Sequence, residues 1–271
     1  MRIKPDKAGT GYYAYTANHA PQDGLDTVVF VHGAAMDHSV WSHQSRYFAY
    51  HGYNVLAVDL PGHNLSGGEL LDEIAAMGQW LNRIIATGAG RGFHLVGHSM
   101  GALIALEAAA GFAHETAPLQ SLTLVGFSYP MAVTPQLLEA ARDEPSAAYG
   151  MMTRWSHTSQ IGGEPVPGFW SPGMQLSMME NSAPGAVLAD LTACNRYAGG
   201  EAAFARIRCP TLFICGRLDH MAPAKLAQVH ADRYDNAEIV FLPRCGHSLM
   251  SESPDGVLGE LKRFIGLHRT A

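Results

Sequence analysis

Short apolar runs recur along this chain at spacings too wide for hairpins. Residues 28–31, 54–58, 93–96, 122–125, 211–214 and 238–242 are rich in β-branched side chains, and polar residues do not alternate with them. A strand with one wet face alternates. A continuous apolar run fits a strand covered on both faces of a parallel sheet. Helical periodicity fills the gaps. Leu71, Ile74, Leu81, Ile84 and Ile85 share one face. A last helix starts with Ser253 as its N-cap and Pro254 in its first turn, then buries Val257, Leu258, Leu261, Phe264 and Ile265. Strands alternating with helices predict an α/β fold with a doubly wound, mostly parallel sheet. Ligands of such sheets bind where the strands end at their carboxyl edge.

The alternation lapses between residues 129 and 203. Helices are expected to start at Thr134-Pro135 and Ser171-Pro172, and another to run around 187–197, with no strand among them. Six of the twelve methionines fall here (Met131, Met151, Met152, Met174, Met178, Met179), with Trp155 and Trp170. The expected organisation is a core of residues 1–128 and 204–271 interrupted by a helical insertion, 129–203. The flexible, polarizable methionines either line an adaptable apolar pocket or form the insertion's own core.

Composition narrows the function classes. The 271 residues are enough for one large core, and a net charge of −6 leaves no basic footprint for nucleic acid or an acidic membrane surface. No apolar run reaches the ~18–20 residues of a membrane span, and no apolar stretch follows the charges of the first seven residues as a signal peptide requires. The four cysteines (Cys194, Cys209, Cys215, Cys245) lack the close pairing of zinc or redox motifs. Buried reduced thiols and a cytoplasmic protein are therefore expected. No pattern specifies an oligomeric state.

The chemistry is concentrated at Gly97-His98-Ser99-Met100-Gly101, between the 93–96 run and an Ala-rich helical run. Gly-x-Ser-x-Gly at a strand-to-helix junction is a sharp turn that exposes a serine hydroxyl, with glycines where side chains would collide with the neighbouring elements. Ser99 is the expected nucleophile. A serine needs a histidine base held by a carboxylate. Of the fourteen histidines, His247 sits just past the last strand run, at the edge where strand ends converge. Asp219 follows the 211–214 run closely, whereas Asp190 falls within the helical insertion and Asp232 and Asp235 in a polar turn. The resulting order, Ser99, Asp219, His247, is that of doubly wound hydrolases. Two backbone amides should hold the oxyanion: Met100, next to the nucleophile, and Ala34, in the loop His32-Gly33-Ala34-Ala35 after the first long run, with Ala35 as the reserve. Trp155, Trp170, Met178 and Met221 are the expected pocket residues. No metal or cofactor is called for, and the expected partner is a small-molecule substrate.

With these residues in place, the chain resembles the α/β-hydrolase fold family, in particular its capped, cofactor-free, esterase-like branch. The resemblance rests on His32-Gly33 with Trp41 downstream, Asp59-Leu60-Pro61-Gly62-His63, the Gly97–Gly101 turn, Gly216-Arg217-Leu218-Asp219 with Pro223, and Gly246-His247. It implies that 129–203 caps the active site. Asn64 stands where the family often has glycine, and asparagine tolerates left-handed backbone. Serine at the turn argues against the family's epoxide hydrolases and haloalkane dehalogenases, which need a carboxylate nucleophile. Met100 departs from its proline aminopeptidases, and Ala34-Ala35-Met36-Asp37 from its carbon–carbon hydrolases. The expected function is a serine carboxylesterase acting on small or medium apolar esters through an acyl-enzyme. The alternatives are the same triad acting on another bond (carbon–carbon, amide, lactone, thioester or perhydrolysis) and, more remotely, a non-catalytic ligand-binding protein.

Overall fold

All six apolar runs are strands in the computed structural model, which describes residues 2–3, 11–112, 114, 117–158 and 170–270. The elements in chain order are β1 (Arg2–Ile3), β2 (Tyr12–Tyr15), β3 (Thr27–Val31), α1 (Ser42–Tyr50), β4 (Asn54–Val58), α2 (Ile74–Ile85), β5 (Phe93–His98), α3 (Met100–Ala110) and β6 (Leu119–Val125). After β6 come α4 (Pro135–Asp143), α5 (Pro145–Ser156), α6 (Ser171–Glu180), α7 (Ala186–Arg196) and α8 (Gly200–Phe204). The chain closes with β7 (Thr211–Gly216), α9 (Ala224–Ala231), β8 (Ala237–Leu242), α10 (Leu249–Glu252) and α11 (Pro254–Leu267).

The strands form one sheet in the order β1-β2-β4-β3-β5-β6-β7-β8. Pairing is parallel from β4 through β8, while β2 runs antiparallel to β4 and β1 to β2. Successive side chains on a strand face opposite sides, so a strand covered on both faces needs apolar residues at every position. Strand β3 shows this directly. Val29 and Val31 pack in one cluster with Trp80 and Leu81 of α2 and Leu103 and Leu106 of α3. Val28 and Phe30 pack on the other face with Phe48 of α1 and Leu261 and Phe264 of α11.

Strands β1 and β2 were not expected from the sequence. They form the antiparallel edge, and the β2 run Tyr12-Tyr13-Ala14-Tyr15 is only half-buried apart from Ala14. Among its described residues, 129–203 holds helices and no strand; residues 159–169 of that expected insertion lie outside the described residues. Thr134 caps α4 as expected, its hydroxyl accepting the Leu137 amide. Helix α6 starts at Ser171 as expected, with Pro172 in its first turn. Among the described residues, no helix is long and apolar enough to cross a membrane. The four cysteines are buried thiols.

Candidate active site

Ser99 lies between β5 and α3 with φ 54° and ψ −120°, a backbone that L-residues rarely adopt. The turn is too tight for side chains on either flank. A Cβ on Gly97 would collide with the Gly101 carbonyl, and one on Gly101 with the carbonyls of His32 and Val31. The Ser99 amide donates to Val125 O at 2.9 Å, which ties the turn to the end of β6.

Three side chains from three strand ends meet here. Ser99 Oγ lies 2.8 Å from His247 Nε2, and His247 Nδ1 lies 2.8 Å from Asp219 Oδ2. The other carboxylate oxygen of Asp219 accepts the Met221 and Ala222 amides at 2.9 and 2.8 Å. Burial pushes the Asp219 carboxyl up, but the facing imidazole and these amides more than offset it and hold it below the usual carboxylate range. The loop after β8 is held from several sides. The His247 and Ser248 amides both donate to Ser156 O, at 2.8 and 2.9 Å. Gly126, with φ +56°, makes room for the imidazole: a Cβ there would lie 3.3 Å from its Nδ1 and Cε1.

His98 and Glu252 are further members of this framework that sequence reasoning missed. His98 Nε2 lies 2.8 Å from His247 O. Burial, followed by the nearby His247 ring, pushes the His98 pKa down to about 3, so it is a neutral donor. Glu252 accepts the Gly246 amide at 2.7 Å and the Thr158 amide at 2.7 Å, joining the His247 loop to the end of α5. Glu252 lay just outside the Gly246-His247 motif, and nothing in the spacing marked it.

The loop after β3 runs beside the serine. A Cβ on Gly33 would lie 3.3 Å from Ser99 Cβ. The amides of Ala34 and Met100 have no acceptor among the described residues, and both belong to segments flanking Ser99. The Ala35 amide, the expected reserve, is taken: it donates to Asp190 Oδ2 at 2.7 Å. Asn64 has φ 42°, the left-handed backbone expected of it.

A cavity of about 370 Å³ opens over Ser99 and His247. Gly33, Ala34 and Met36 line it from the β3 loop, Leu137, Met152 and Trp155 from α4 and α5, and Leu191 and Cys194 from α7, with Met221 and Ala222 beside Asp219. Burial pushes the Cys194 thiol up, so it is an apolar wall rather than a nucleophile. The expected pocket residues divide. Trp155 and Met221 line this cavity, while Met178 faces a smaller recess next to it, with Met174 and Val40. Trp170 is a correction. It is 68% exposed and lines neither space. It precedes α6 with its ring over Gly173, where a Cβ would strike it, so the first turn of α6 turns the indole outward.

One cluster has metal-ligand chemistry. Asp37, His38 and Asp59 bring ligand-type atoms within 4.8 Å of one another. These atoms are already employed as loop braces. Asp37 accepts the Ser39 amide at 2.7 Å, and Asp59 accepts the His38 and Leu65 amides at 2.8 and 3.2 Å.

Residues 28–260 match the model of the alpha/beta hydrolase family. The chain is 26% identical over 249 residues to the 2-succinyl-6-hydroxy-2,4-cyclohexadiene-1-carboxylate synthase of Escherichia coli O1:K1, covering 89% of this chain and 94% of that one. Its fold is similar to that of an esterase from Exiguobacterium antarcticum, with a TM-score of 0.83 at 17% identity over 98% of this chain and 99% of the other. A thermophilic esterase from Thermogutta terrifontis gives a TM-score of 0.76 at 20% identity over 100% and 99% of the two chains. With the family's pattern matched from β3 into α11 on this sheet, the chain belongs to the alpha/beta hydrolase family and is a hydrolase enzyme.

Proposed function

We propose that this hydrolase is a serine carboxylesterase for small or medium apolar esters. One observation supports the reading above all: Ser99, His247 and Asp219 form an unbroken hydrogen-bonded series whose serine end faces an apolar cavity. Ser99 Oγ attacks the ester carbonyl as His247 Nε2 takes its proton. Asp219 holds the Nδ1–H tautomer and stabilises the imidazolium that forms. The Ala34 and Met100 amides donate to the oxyanion, each worth on the order of 3 kcal/mol in the transition state. His247 passes the proton to the leaving alcohol, and the acyl group stays on Ser99. A water, deprotonated by His247, then attacks the acyl carbonyl and releases the acid, and Ser99 regains its proton. In this reading residues 129–203 cap the site, and α5 and α7 supply the acyl-pocket walls.

Carbon–carbon bond chemistry is the second reading, because the Escherichia coli relative is named a synthase of 2-succinyl-6-hydroxy-2,4-cyclohexadiene-1-carboxylate, a product that carries a carboxylate. The cavity lining favours the first. No lysine or arginine is among the described residues that line it, so a substrate carboxylate would lie in an apolar space without a cation to pair with. The test is turnover of a panel of neutral esters, thioesters, amides, lactones and carboxylate-bearing enones, with Ser99→Ala as control. Neutral esters should be cleaved fastest, and Ser99→Ala should lose activity by about 10⁴-fold or more. Retained turnover in Ser99→Ala sinks the mechanism, and preference for carboxylate-bearing substrates sinks the substrate class.

A further inference from the structure

Asp190 is the residue least explained by the site so far. It lies on α7, is fully buried, and is not part of the Ser99–His247–Asp219 series. Its Oδ2 accepts two hydrogen bonds, from the Ala35 amide at 2.7 Å and from His63 Nε2 at 2.9 Å. Its Oδ1 has no partner among the described residues. Placing a carboxylate in such a position is costly unless it is paired. The pairing partner is His63, whose Nδ1 lies 3.0 Å from Pro61 O. With a carbonyl on one ring nitrogen and a carboxylate on the other, both nitrogens must donate, which is the imidazolium form. Burial opposes that charge, and the Asp190 carboxylate outweighs it, so the net direction of the His63 pKa is up. The groups facing His63 are Asp190 from α7, Asp59 beyond β4, and the neutral His32 beyond β3, which lies ring to ring with it at 5.1 Å.

Ala35 is the other end of this contact. It has φ 54°, a left-handed backbone that alanine adopts only when held there. It is gripped at both polar atoms from the overlying segment. Asp190 takes its amide, and Ser182 Oγ donates to its carbonyl at 3.2 Å. The Met36 amide closes the same turn onto Gly33 O at 3.2 Å. The turn so fixed is the one that carries the Ala34 amide.

We propose that Asp190 is a positioning residue: charge-paired with His63, it clamps the strained Ala35 peptide from α7 and thereby aims the Ala34 amide at the reacting carbonyl. The role of Ala34 rests on the ester-hydrolase reading above. The clamp also makes α7 part of the catalytic framework rather than a lid free to lift away. Asparagine cannot replace this carboxylate. A single oxygen serves both donors, so an amide turned one way keeps both hydrogen bonds but leaves the imidazolium without its counter-ion, and turned the other way sets its N–H groups against both donors.

The test uses Asp190→Asn and His63→Gln in the full chain, with p-nitrophenyl butyrate as substrate and a fluorophosphonate probe to titrate reactive Ser99. For Asp190→Asn, kcat per titrated serine should fall by about 10- to 100-fold while KM stays within about threefold, because a displaced oxyanion donor is felt mainly in the transition state. Probe labelling should reach completion, but more slowly. A merely structural role would lower the number of titrated sites and leave kcat per site within about twofold of wild type, and that result overturns the proposal. If Asp190→Asn does not fold, His63→Gln is read by the same per-site criterion. Nuclear magnetic resonance of the wild-type chain supplies a readout independent of turnover: two slowly exchanging ring N–H protons on His63 at neutral pH are expected, and one alone overturns the pairing. A wild-type chain that neither cleaves esters nor labels at Ser99 refutes the esterase reading instead, and the ring-proton measurement still decides the pair.

Discussion

His98 Nε2 donates to the backbone carbonyl of His247 at 2.8 Å, so the turn that presents the serine also holds the loop that presents the proposed base. The ring's other nitrogen is buried without a partner among the described residues, and the low pKa of about 3 keeps it unprotonated. Replacing His98 by leucine keeps bulk and removes the donor. The His247 carbonyl would then be buried and unsatisfied, at a cost of about 1–3 kcal/mol. The expected outcome is a lower melting temperature together with a drop in kcat of about tenfold, as the imidazole drifts from Ser99. Calorimetry and ester kinetics on the same preparation check it. Unchanged values for both would show that the loop is held well enough by Ser156 and Glu252.

Acid should unfold this protein earlier than its carboxylates alone would dictate. Burial pushes three imidazoles down, those of His32, His94 and His98. Burial, then the neighbouring His63 charge, pushes His32 down to about 4, and burial, then His247, pushes His98 down to about 3. A histidine with a depressed folded pKa contributes stability that is present above its unfolded value of about 6.5 and is lost as pH falls towards the folded value. His63 acts oppositely. Its raised folded pKa gives stability that is complete below about 6.5 and fades as pH rises through that folded value. Asp219, depressed, adds its loss only below the ordinary carboxylate range near 4. Below about pH 6.5 the His63 contribution is already complete and constant, so the histidines with depressed values set the sign. The urea midpoint should fall steadily from about pH 6.5 to about pH 4.5. A flat midpoint across that range would show that His32 and His98 are not buried neutral bases.

The glycines of the nucleophile turn give a test with an internal control. Gly101→Ala would drive a Cβ into the carbonyls of Val31 and His32, which belong to β3 and its loop and cannot yield separately. Loss of soluble folded protein, or destabilisation above about 3 kcal/mol, is expected. Gly259 is the contrast. It is exposed within α11, has no atom within 4 Å of an added Cβ, and should gain about 0.5–1 kcal/mol as alanine. Denaturant titration of both variants checks the pair; equal effects would mean that the turn has slack that its geometry does not show.

How much of this was legible depended on the range of the interaction. Strands β3 to β7 declared themselves because a strand covered on both faces must be largely apolar, which is a local pattern; β8 carries the same kind of run although it closes the sheet and is mostly half-buried. Ser99, Asp219 and His247 were legible for a related reason: each follows a strand run directly, so topology alone brings them to one edge. Strand β2 was missed because an edge strand of half-exposed tyrosines carries neither continuity nor clean alternation. Asp190 was set aside as the triad acid because it falls within the helical insertion and not at a strand end. Its meaning comes from His63, 127 positions away in the chain, and no local pattern encodes such a pairing. Trp170 failed in the opposite way. Its place in the Met-rich insertion suggested a pocket wall, but the first turn of α6 directs it outward.

Acyl-chain preference should follow the α5 wall. Trp155 lines the cavity together with Met152, Leu137 and Ser99. The indole is only half-buried, so Trp155→Ala opens space without removing a core anchor. Each methylene newly admitted to an apolar wall is worth roughly 0.8 kcal/mol, or about fourfold in kcat/KM where the space allows it. The optimum of a p-nitrophenyl ester series should therefore move to longer acyl chains in Trp155→Ala, while the shortest esters lose some binding. Trp170→Ala, altering an exposed ring outside the cavity, should leave the profile where it was. A shift with Trp170→Ala, or none with Trp155→Ala, would put the acyl group somewhere other than this cavity.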